Sequence, residues 1–596
     1  MAKFKIECTD TQGGARWLAY DSKASVLTYE DGTPVVRELP DEEKRRMKST
    51  KIRLGEVARK VREIKFLRIV LGTKCNYKCA YCSQAFDAPE EQSTTIEDAK
   101  TFLARMDEWL FSEPKRIELW GGEPLVYIKW LRIVLPALRK KFPNSQISTI
   151  TNGSLLTDEI VDFLVENRCV FSVSHDAYGQ SMRGEDILDD PEKVRIIDRA
   201  ERLVHEAHYP LRCFGFNVTY NKKVLDPIRA KAYFTQKFGR DIAMSSDPVL
   251  AVGRAEVDAE TVPAGELLED FARNVATATL LPPELSSYSL FRYGNMFIQS
   301  LAERLSLVNV GQKCDIDRDS SLVVDVKGNV YTCQNFVKVK DVKGSVYDFD
   351  NIKVNNLQHF SNRKSCMSCP YAHMCMGGCP AIQGNGFAGT CEIKFAFFSG
   401  IFVSTIASLT GLLPRRIIAD DVIYYPQREL IETAHGKHVE IKDVLLPVPD
   451  FERVQKLSEA ALAARVTSRR GRGPQALALG VPRHIVLPGS LHRRKQGILG
   501  EMLGRGGLAL LDGCNGTLYD IKAGHEPLVS FVLLVKHLPL HAGTLQHGMH
   551  LLIIERAQAA TVVQCQFGMQ QVVAYACGLC ILVNALPCRL VQRLAV

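Results

Sequence analysis

Short apolar runs alternate with longer amphipathic stretches between residue 66 and about residue 246, and this alternation is typical of βα units around a parallel sheet. The runs that predict strands are FLRIVLG, RIELWGG, QISTITNG, CVFSVSHDA, LRCFGFNVTY and, as a sixth, DIAMSS. The first helix should begin at about Thr94, where Thr94 and Glu97 have capping-box spacing. A later helix, within TDEIVDFLVENR, should be capped by Thr157.

Segments on either side of this alternation have other patterns. Residues 1–65 predict a small β element and a basic helical segment, either an accessory packing layer or a docking site for a substrate leader. Residues 261–310 predict a helical connector, and residues 396–465 predict a C-terminal helical cap. The uncharged run Phe395–Leu413 approaches membrane-spanning length, but hydroxyl side chains interrupt it, so it predicts a buried helix.

Residues 466–596 differ in composition from the rest of the chain. They include 13 basic and 5 acidic residues and seven of the fourteen histidines, so the net charge of +8 lies there and the first 465 residues hold 62 of each sign. No helical or strand period persists, which predicts a basic, His-rich tail of uncertain order. The neutral body gives no support for nucleic-acid binding. Cys577 and Cys580 have CxxC spacing without a second pair nearby, so we attribute this spacing to chance.

The amino terminus and the cysteine content indicate the compartment. MAKFKIECTD has no apolar run after its basic residues, so nothing resembles a secretory signal, and we expect a cytoplasmic protein that does not associate with a membrane. Eighteen cysteines in a reducing compartment indicate metal ligation or catalysis more than disulfides.

Three cysteines directly follow the first predicted strand: Cys75, Cys79 and Cys82. A structural zinc site would need a fourth protein ligand. A cubane iron–sulfur cluster has four irons, so three thiolates leave one iron open to a small molecule. Because ligands collect at the carboxyl ends of parallel strands, the motifs after the next three strands, GGEP, TNG and SHD, should lie beside this loop.

The three-cysteine loop resembles the C-x3-C-x-aromatic-C signature of the radical S-adenosylmethionine (SAM) superfamily, with Tyr81 as the aromatic residue. The resemblance implies an α/β fold with a partial (βα)6 TIM-like barrel over residues 66–260. It also implies that the three cysteines are the catalytic centre and hold a [4Fe-4S] cluster whose open iron chelates SAM. Cleavage of SAM would then release a 5′-deoxyadenosyl radical that takes hydrogen from the substrate.

Residues after the next strands resemble the SAM contacts of that superfamily. GGEP resembles its glycine-rich motif, in which a carbonyl and a carboxylate meet the methionine ammonium. Ser174 and Asp176 resemble the ribose-contacting strand, although the usual glycine is Ala177 here, and turn capping is the alternative. The expected SAM contacts are Tyr81, against the adenine, and Gly121, Gly122, Glu123, Asn152, Ser174 and Asp176.

A second cysteine array lies within residues 311–395. Its spacings, C-x13-G-x4-C, C-x2-C-x5-C-x3-C and a last cysteine after eleven more residues, resemble the SPASM extension of radical SAM enzymes, with Gly328 as the glycine. This implies a small cysteine-rich domain with two auxiliary [4Fe-4S] clusters. The implied ligands are Cys366, Cys369, Cys375 and Cys391 for one cluster, and Cys314, Cys333 and Cys379 for the other. A zinc site on Cys366, Cys369, Cys375 and Cys379 is the alternative.

Two cubanes need eight protein ligands, and this array supplies seven. The segment before Cys314, LSLVNVGQK, lacks the cysteine that fully ligated relatives have there. The first auxiliary cluster therefore either keeps an open iron, which we favour, or takes Asp315, Asp317 or Cys213 as a ligand. An open iron could bind the substrate, whereas a closed cluster could only pass electrons.

The resemblance to SPASM enzymes implies a peptide or protein substrate and an electron donor such as flavodoxin or ferredoxin. Sulfatase maturation takes second place, because those enzymes have an aspartate base after the second SPASM cysteine, and Cys333 is followed by Gln334. An amide cannot accept the substrate proton in that way. A non-enzyme hypothesis is an iron–sulfur electron-transfer or zinc-scaffold protein. A radical enzyme acting on RNA is a further hypothesis, which the neutral body disfavours.

Overall fold

The computed structural model describes most of the chain before residue 470 and separate strands after it. The described ranges are 2–44, 59–86, 95–208, 214–311, 313–314, 318–335, 341–353, 359–426, 438–469, 534–536, 549–554, 560–567, 572–576, 579–583 and 588–591. The chain divides into two units, the first formed mainly by residues 1–473 and the second by residues after 485.

A parallel sheet of six strands in chain order is the centre of the first unit. The strands are β4 Phe66–Val70, β5 Arg116–Trp120, β6 Gln146–Thr151, β7 Cys169–Ser174, β8 Phe216–Tyr220 and β9 Met244–Pro248. Each pairs in parallel with the next, which confirms the six predicted strands and the α/β barrel-like class. The alternation of the sequence explains the sheet, because Leu67 and Ile69 are fully buried on one face while Arg68 lies on the other.

Helices separate these strands and cover the sheet. They are α1 Ser83–Phe86, α2 Ile96–Ala104, α3 Ile128–Lys141, α4 Asp158–Glu166, α5 Pro191–His208 and α6 Pro227–Phe238. Thr157 caps α4 as predicted, since its hydroxyl accepts a hydrogen bond from the Ile160 N–H. The predicted cap of α2 was wrong by one residue. Thr95 and Asp98 form the capping box, and Thr94 lies outside the described residues.

Three more strands extend the barrel sheet beyond β4. They are β10 Ser321–Asp325, β11 Asn329–Tyr331 and β12 Val342–Ser345. β10 pairs in parallel with β4, and β11 and β12 follow it in antiparallel order. Part of the cysteine-rich region therefore belongs to the same sheet as the three-cysteine loop, which follows β4. The sequence pattern did not predict this shared sheet.

A second sheet joins the beginning of the first unit to its end. Its order is β14-β13-β1-β2-β3. The strands are β1 Lys3–Thr9, β2 Ala15–Asp21, β3 Val26–Tyr29, β13 Leu413–Pro426 and β14 His438–Leu445. The three amino-terminal strands agree with the predicted β element, whereas the basic helical segment predicted after them falls largely on residues 45–58, outside the described residues.

The helical cap predicted over residues 396–465 was therefore wrong over residues 413–426 and 438–445. The run IIADDVIYY is rich in β-branched and aromatic residues, which favour a pleated surface, and β1 offers it an open edge. The remaining cap residues do form helices, in the second half of α12 Gly384–Thr410 and in α13 Phe451–Arg469. Tyr20 of β2 is buried against α12, with its ring 5.9 Å from that of Phe402, so the amino-terminal strands pack on this helix.

Helix α12 contains most of the uncharged run and packs inside the protein. Within the described residues it is the one helix long and apolar enough to cross a membrane, and 78% of its most apolar window is buried, as predicted for a core helix. It packs against α8 Glu266–Thr279, which with α9 Tyr288–Ala302 lies in the predicted helical connector. The shorter helices are α7 Ala255–Thr261, α10 Lys364–Met367 and α11 Ala372–Cys375.

The second unit contains strands where the sequence predicted no persistent period. A four-stranded sheet has the order β15-β16-β17-β20, and β18 pairs with β19. Their bounds are β15 Leu534–Lys536, β16 Met549–Ile554, β17 Ala560–Phe567, β18 Val572–Ala576, β19 Leu579–Val583 and β20 Cys588–Val591. Cys580 lies on β19, and Cys577 lies outside the described residues.

Candidate functional site

The three cysteines of the motif lie together on the loop that follows β4. Cys75 is exposed, while Cys79 and Cys82 are half-buried. Burial is the main cause that raises the pKa of the Cys79 thiol to about 11; the charge of Arg183 lowers this pKa, and Cys82 and Cys75 raise it. Because thiols with raised pKa values are protonated at neutral pH, a metal centre that binds here must displace their protons.

The GGEP loop after β5 packs directly on the backbone of the cysteine loop. The N–H of Gly122 donates to Gly72 O at 3.1 Å, and the N–H of Glu123 donates to Lys74 O at 2.9 Å. A Cβ on Gly122 would lie 2.4 Å from Thr73 O, so only glycine fits without movement of the loop. The two glycines thus bring the ends of β4 and β5 into close contact.

Glu123 connects the end of β5 to the end of β6. Its side chain is buried and accepts hydrogen bonds from the Thr151 hydroxyl at 2.6 Å, the Asn152 N–H at 2.7 Å and the Leu125 N–H at 3.0 Å. Burial raises the pKa of Glu123, whereas these donors lower it. Three of about four acceptor positions on the carboxylate are therefore used within the protein, and its contact with SAM stays a prediction.

Asn152 links the end of β6 to the cysteine loop. Its side-chain amide donates to Asn76 Oδ1 at 2.9 Å, and its carbonyl oxygen accepts from the hydroxyl of Ser154 at 2.6 Å. Asn76 in turn donates to the same hydroxyl at 2.8 Å. Since Asn76 directly follows Cys75, this network fixes one side of the loop that carries the thiols.

Tyr81, Asp176 and Arg183 form a buried group beside the same loop. The Tyr81 hydroxyl donates to Asp176 Oδ2 and accepts from Arg183 Nη1 at 2.9 Å. Asp176 also accepts hydrogen bonds from the Thr219 N–H at 2.9 Å and the Asn221 amide at 3.2 Å. Burial raises the pKa of Asp176 and raises that of Tyr81 well above its usual range.

These contacts support a positioning role for Asp176. Its carboxylate is fully buried and surrounded by protein donors, so it positions Tyr81 and the end of β8. Ser174 is half-buried at the end of β7, next to Asn217 of β8. Contacts of Ser174 and Asp176 with the ribose, and of Tyr81 with the adenine, stay predictions. Ala177 has a φ of 48°, the left-handed conformation that favours the glycine expected there.

Sequence reasoning did not single out Arg183. It lies just after the turn Ala177–Met182, and its side chain is 12% exposed. Its Nε is buried and has no hydrogen-bond partner among the described residues. Its charge acts on Cys75, Cys79 and Glu123. No spacing signal could have found this residue, because the turn brings it to the cysteine loop only in the folded chain.

The other seven cysteines come together in two groups. The pKa of Cys391, raised mainly by burial, is raised further by Cys369, Cys366 and Cys375. Burial raises the pKa of Cys333 to about 12, and Cys314 and Cys379 act in the same direction. These mutual influences follow the two predicted ligand sets, and the choice between them and the zinc alternative stays a prediction.

Within the described part of the chain, no three or more His, Cys, Asp or Glu side chains are arranged to hold one metal ion. Ligation by each cysteine stays a prediction, and the proposed eighth ligands Asp315, Asp317 and Cys213 lie outside the described residues.

Gln334, which stands where sulfatase-maturating enzymes have the base, lies between the two centres. Its side-chain oxygen accepts a hydrogen bond from the Cys333 thiol at 3.5 Å. Its backbone carbonyl accepts a hydrogen bond from the side chain of Gln84 at 2.9 Å, and Gln84 lies on α1, just after the three-cysteine loop. The loop after β4 and the loop around Cys333 are therefore in direct contact.

Comparison with known proteins agrees with this geometry. Residues 69–222 match the sequence model of the Radical SAM superfamily. The radical SAM cyclopropyl synthase TigE of Paramaledivibacter caminithermalis is 26% identical over 168 residues, 26% of this chain and 34% of that protein. A GTP 3',8-cyclase of Campylobacter jejuni is 30% identical over 136 residues, 22% of this chain and 41% of that protein. The chain therefore spans less than half the length of these two relatives.

A longer match is the serine-type anaerobic sulfatase-maturating enzyme of Bacteroides thetaiotaomicron, 23% identical over 364 residues, 54% of this chain and 83% of that protein. Among solved structures, anSMEcpe with bound AdoMet aligns with a TM-score of 0.43 at 17% identity, over 58% of this chain and 99% of that one. The family match itself identifies residues 69–222 as a Radical SAM domain. Members of that superfamily use a [4Fe-4S] cluster and SAM.

Proposed function

We propose that this protein is an iron–sulfur enzyme that reductively cleaves SAM and abstracts hydrogen from a side chain or α-carbon of a peptide or protein. The observation that carries the proposal is the packing of the GGEP loop on the three-cysteine loop, with Gly122 against Thr73 O. When bound, the cluster with SAM supplies a 5′-deoxyadenosyl radical. The residues of the chain hold the cluster, orient SAM and keep water away.

Cys75, Cys79 and Cys82 would hold the SAM-binding cluster and leave one iron for the cosubstrate. Gly121, Gly122 and Glu123 lie next to this loop and would offer backbone carbonyls to the methionine end of SAM. Asn152, Ser174 and Asp176 follow β6 and β7, so they would border the rest of the cosubstrate. Tyr81 would lie against the adenine, in a position fixed by the hydrogen bonds of its hydroxyl with Asp176 and Arg183.

The two further cysteine groups would hold the auxiliary clusters. Cys366, Cys369, Cys375 and Cys391 would complete one cubane. Cys314, Cys333 and Cys379 would hold the other with one open iron. The contact between Gln84 and Gln334 supports a short route between this second group and the SAM site. A cluster held by Cys314, Cys333 and Cys379 would supply an electron acceptor at this place.

A peptide or protein substrate is supported by the seven-cysteine array and by the extended match to a sulfatase-maturating enzyme. Electrons would come from a small redox protein such as flavodoxin or ferredoxin. The enzyme would work in the cytoplasm, without attachment to a membrane.

Sulfatase maturation is the second candidate, because the sulfatase-maturating relative aligns over 83% of its own length. Gln334 argues against it, because its amide cannot act as the base. A general peptide-modifying reaction therefore takes first place.

The test is anaerobic reconstitution with iron and sulfide, followed by reduction and an assay for 5′-deoxyadenosine. We expect SAM-dependent formation of this product by the wild type, and none by the variant in which Cys75, Cys79 and Cys82 are alanine. That variant should keep its auxiliary iron. A fully reconstituted protein that makes no 5′-deoxyadenosine contradicts the proposal.

A further inference from the structure

Asp247 lies at the carboxyl end of β9, at the opposite end of the six-stranded row from β4. In the parallel register it faces Thr219 of β8, whose N–H donates to Asp176 at 2.9 Å. Asp247 is therefore at the same height in the sheet as the Tyr81–Asp176–Arg183 group. It lies at the edge of the sheet where ligands of parallel α/β folds collect.

Two groups from later parts of the chain bind Asp247. The ammonium of Lys313 contacts both carboxylate oxygens, at 2.8 and 2.6 Å. The hydroxyl of Tyr293, on α9, donates to Oδ2 at 3.3 Å. Lys313 directly precedes Cys314, so this ion pair fixes the start of the second cysteine array against the barrel.

Lys394 brings a second ammonium toward the same carboxylate. It lies on α12, is 3% exposed, and its charge acts on Asp247 and Tyr293. Within the described residues it forms no hydrogen bond or ion pair. An ammonium on a buried side chain that has no bonded counter-ion is a candidate partner for an anion.

The backbone next to Cys379 leaves room for this ammonium. Gly378 has a φ of +66°, and a Cβ there would lie 3.0 Å from Lys394 Nζ. Lys394 is thus placed between the second cysteine group and the end of β9. Among the described residues, the charges of Lys313, Lys394 and Arg292 all act on the carboxylate of Asp247.

We propose that Lys394, together with Lys313, binds a carboxylate of the peptide substrate, from an acidic side chain or the carboxyl terminus. The inference rests on the proposed peptide-modifying function. Carboxylates are the anionic groups of an unmodified peptide at neutral pH. The methionine carboxylate of SAM is a poorer candidate, because the predicted SAM contacts follow β4 to β7, whereas Lys394 faces β9. A charge pair at this site would fix which residue of the peptide reaches the radical.

The test uses the reconstituted full-length protein with SAM, on an array of random decapeptides in which each Glu-containing sequence has a Gln-containing partner. The proposal expects about tenfold tighter binding of the Glu partners. Lys394→Met should lose this preference, and Lys394→Arg should keep most of it. Lys456→Met, an exposed lysine on α13, is the matched control and should behave as the wild type.

Iron content and 5′-deoxyadenosine formation without peptide are measured for every variant and separate the two proposals. Both should be unchanged in Lys394→Met if the residue acts on the substrate. Equal binding of Glu and Gln peptides, no peptide binding at all, or a preference that survives in Lys394→Met each overturns the inference. Loss of 5′-deoxyadenosine formation in the wild type would instead overturn the proposed function.

Discussion

The hydroxyl of Tyr81 donates a hydrogen bond to the buried carboxylate of Asp176, which is 95 positions away in the chain. This bond joins the three-cysteine loop after β4 to the end of β7. Arg183 completes the group by donating to the same hydroxyl at 2.9 Å. The cysteine loop is thereby held by this group as well as by the GGEP contact, so its shape depends on residues beyond the three cysteines.

Tyr81→Phe should destabilise the fold by about 1–3 kcal/mol, because it leaves the buried Asp176 and Arg183 each without one partner. It should also weaken SAM binding, since the loop loses its attachment. Denaturant unfolding of the protein and SAM titration of the reconstituted form measure the two effects.

Tyr233→Phe is the matched control. It removes another tyrosine–aspartate hydrogen bond, to Asp186, in which neither residue belongs to the cysteine loop. This variant should lose stability and bind SAM normally. Equal SAM binding by Tyr81→Phe and Tyr233→Phe would contradict a role for the Tyr81 bond in the SAM site.

Gly122→Ala should disrupt assembly of the SAM-binding cluster. Its Cβ would lie 2.4 Å from Thr73 O and 2.5 Å from Lys74 O, so the cysteine loop must move. We expect loss of about four irons per chain and at least a tenfold fall in 5′-deoxyadenosine formation, by order of magnitude, with the auxiliary iron retained. Gly311→Ala is the control, because nothing lies within 4 Å of its Cβ position. Normal iron content and activity in Gly122→Ala would refute the close contact.

Asp186 should make the free energy of unfolding depend on pH in the acid range. Burial alone would raise its pKa, but hydrogen bonds from His175 and Tyr233 lower it to about 2. The Nδ1 of His175 accepts from the Ala177 N–H at 3.0 Å, so its Nε2 carries the proton that is donated to Asp186. A carboxylate whose pKa is lowered by folding stabilises the fold at pH values above its unfolded-state pKa. This stabilisation is lost as the pH falls through its folded-state pKa.

Asp186→Asn should therefore reduce the free energy of unfolding by about 2 kcal/mol at neutral pH. The difference from the wild type should shrink as the pH falls from about 4 toward about 2. Urea unfolding of both proteins across this range measures it. A difference that stays constant with pH would show that the ionised carboxylate contributes nothing.

Iron content can also test the grouping of the seven auxiliary cysteines. Cys366→Ala and Cys379→Ala should each impair a different cluster, so the double variant should lose iron from both. Cys366→Ala with Cys391→Ala should lose no more than one cluster, about four irons. Mössbauer spectra of the purified variants count the clusters. Under the zinc alternative, Cys366 and Cys379 would share one ion, and their effects would not add.

The sequence predicted those parts of the fold whose place in the structure follows from a local sequence pattern. The six barrel strands were found because apolar runs and strand-end motifs alternate over short distances. The cysteine groups were predicted from spacing and resemblance. The second sheet was missed, because Phe4 pairs with Ala419 and no local signal links positions so far apart.

Other misses have equally specific causes. The α2 cap was placed one residue early because Thr94 and Thr95 are adjacent and acidic residues follow both at the required spacing. Arg183 and Lys394 become functional candidates only when burial and partners are known. No sequence pattern singled out Asp247. It becomes a candidate because of its ion pair with Lys313, which is 66 positions later in the chain.

Electron paramagnetic resonance of the reduced, reconstituted protein tests the central claim most directly. The variant with Cys314, Cys333, Cys366 and Cys391 replaced by alanine should retain mainly the SAM-binding cluster. Addition of SAM should shift the g-values of that cluster's signal, because the cosubstrate binds the iron that Cys75, Cys79 and Cys82 leave open. A reduced cluster whose signal is unchanged by saturating SAM would contradict SAM binding at an open iron.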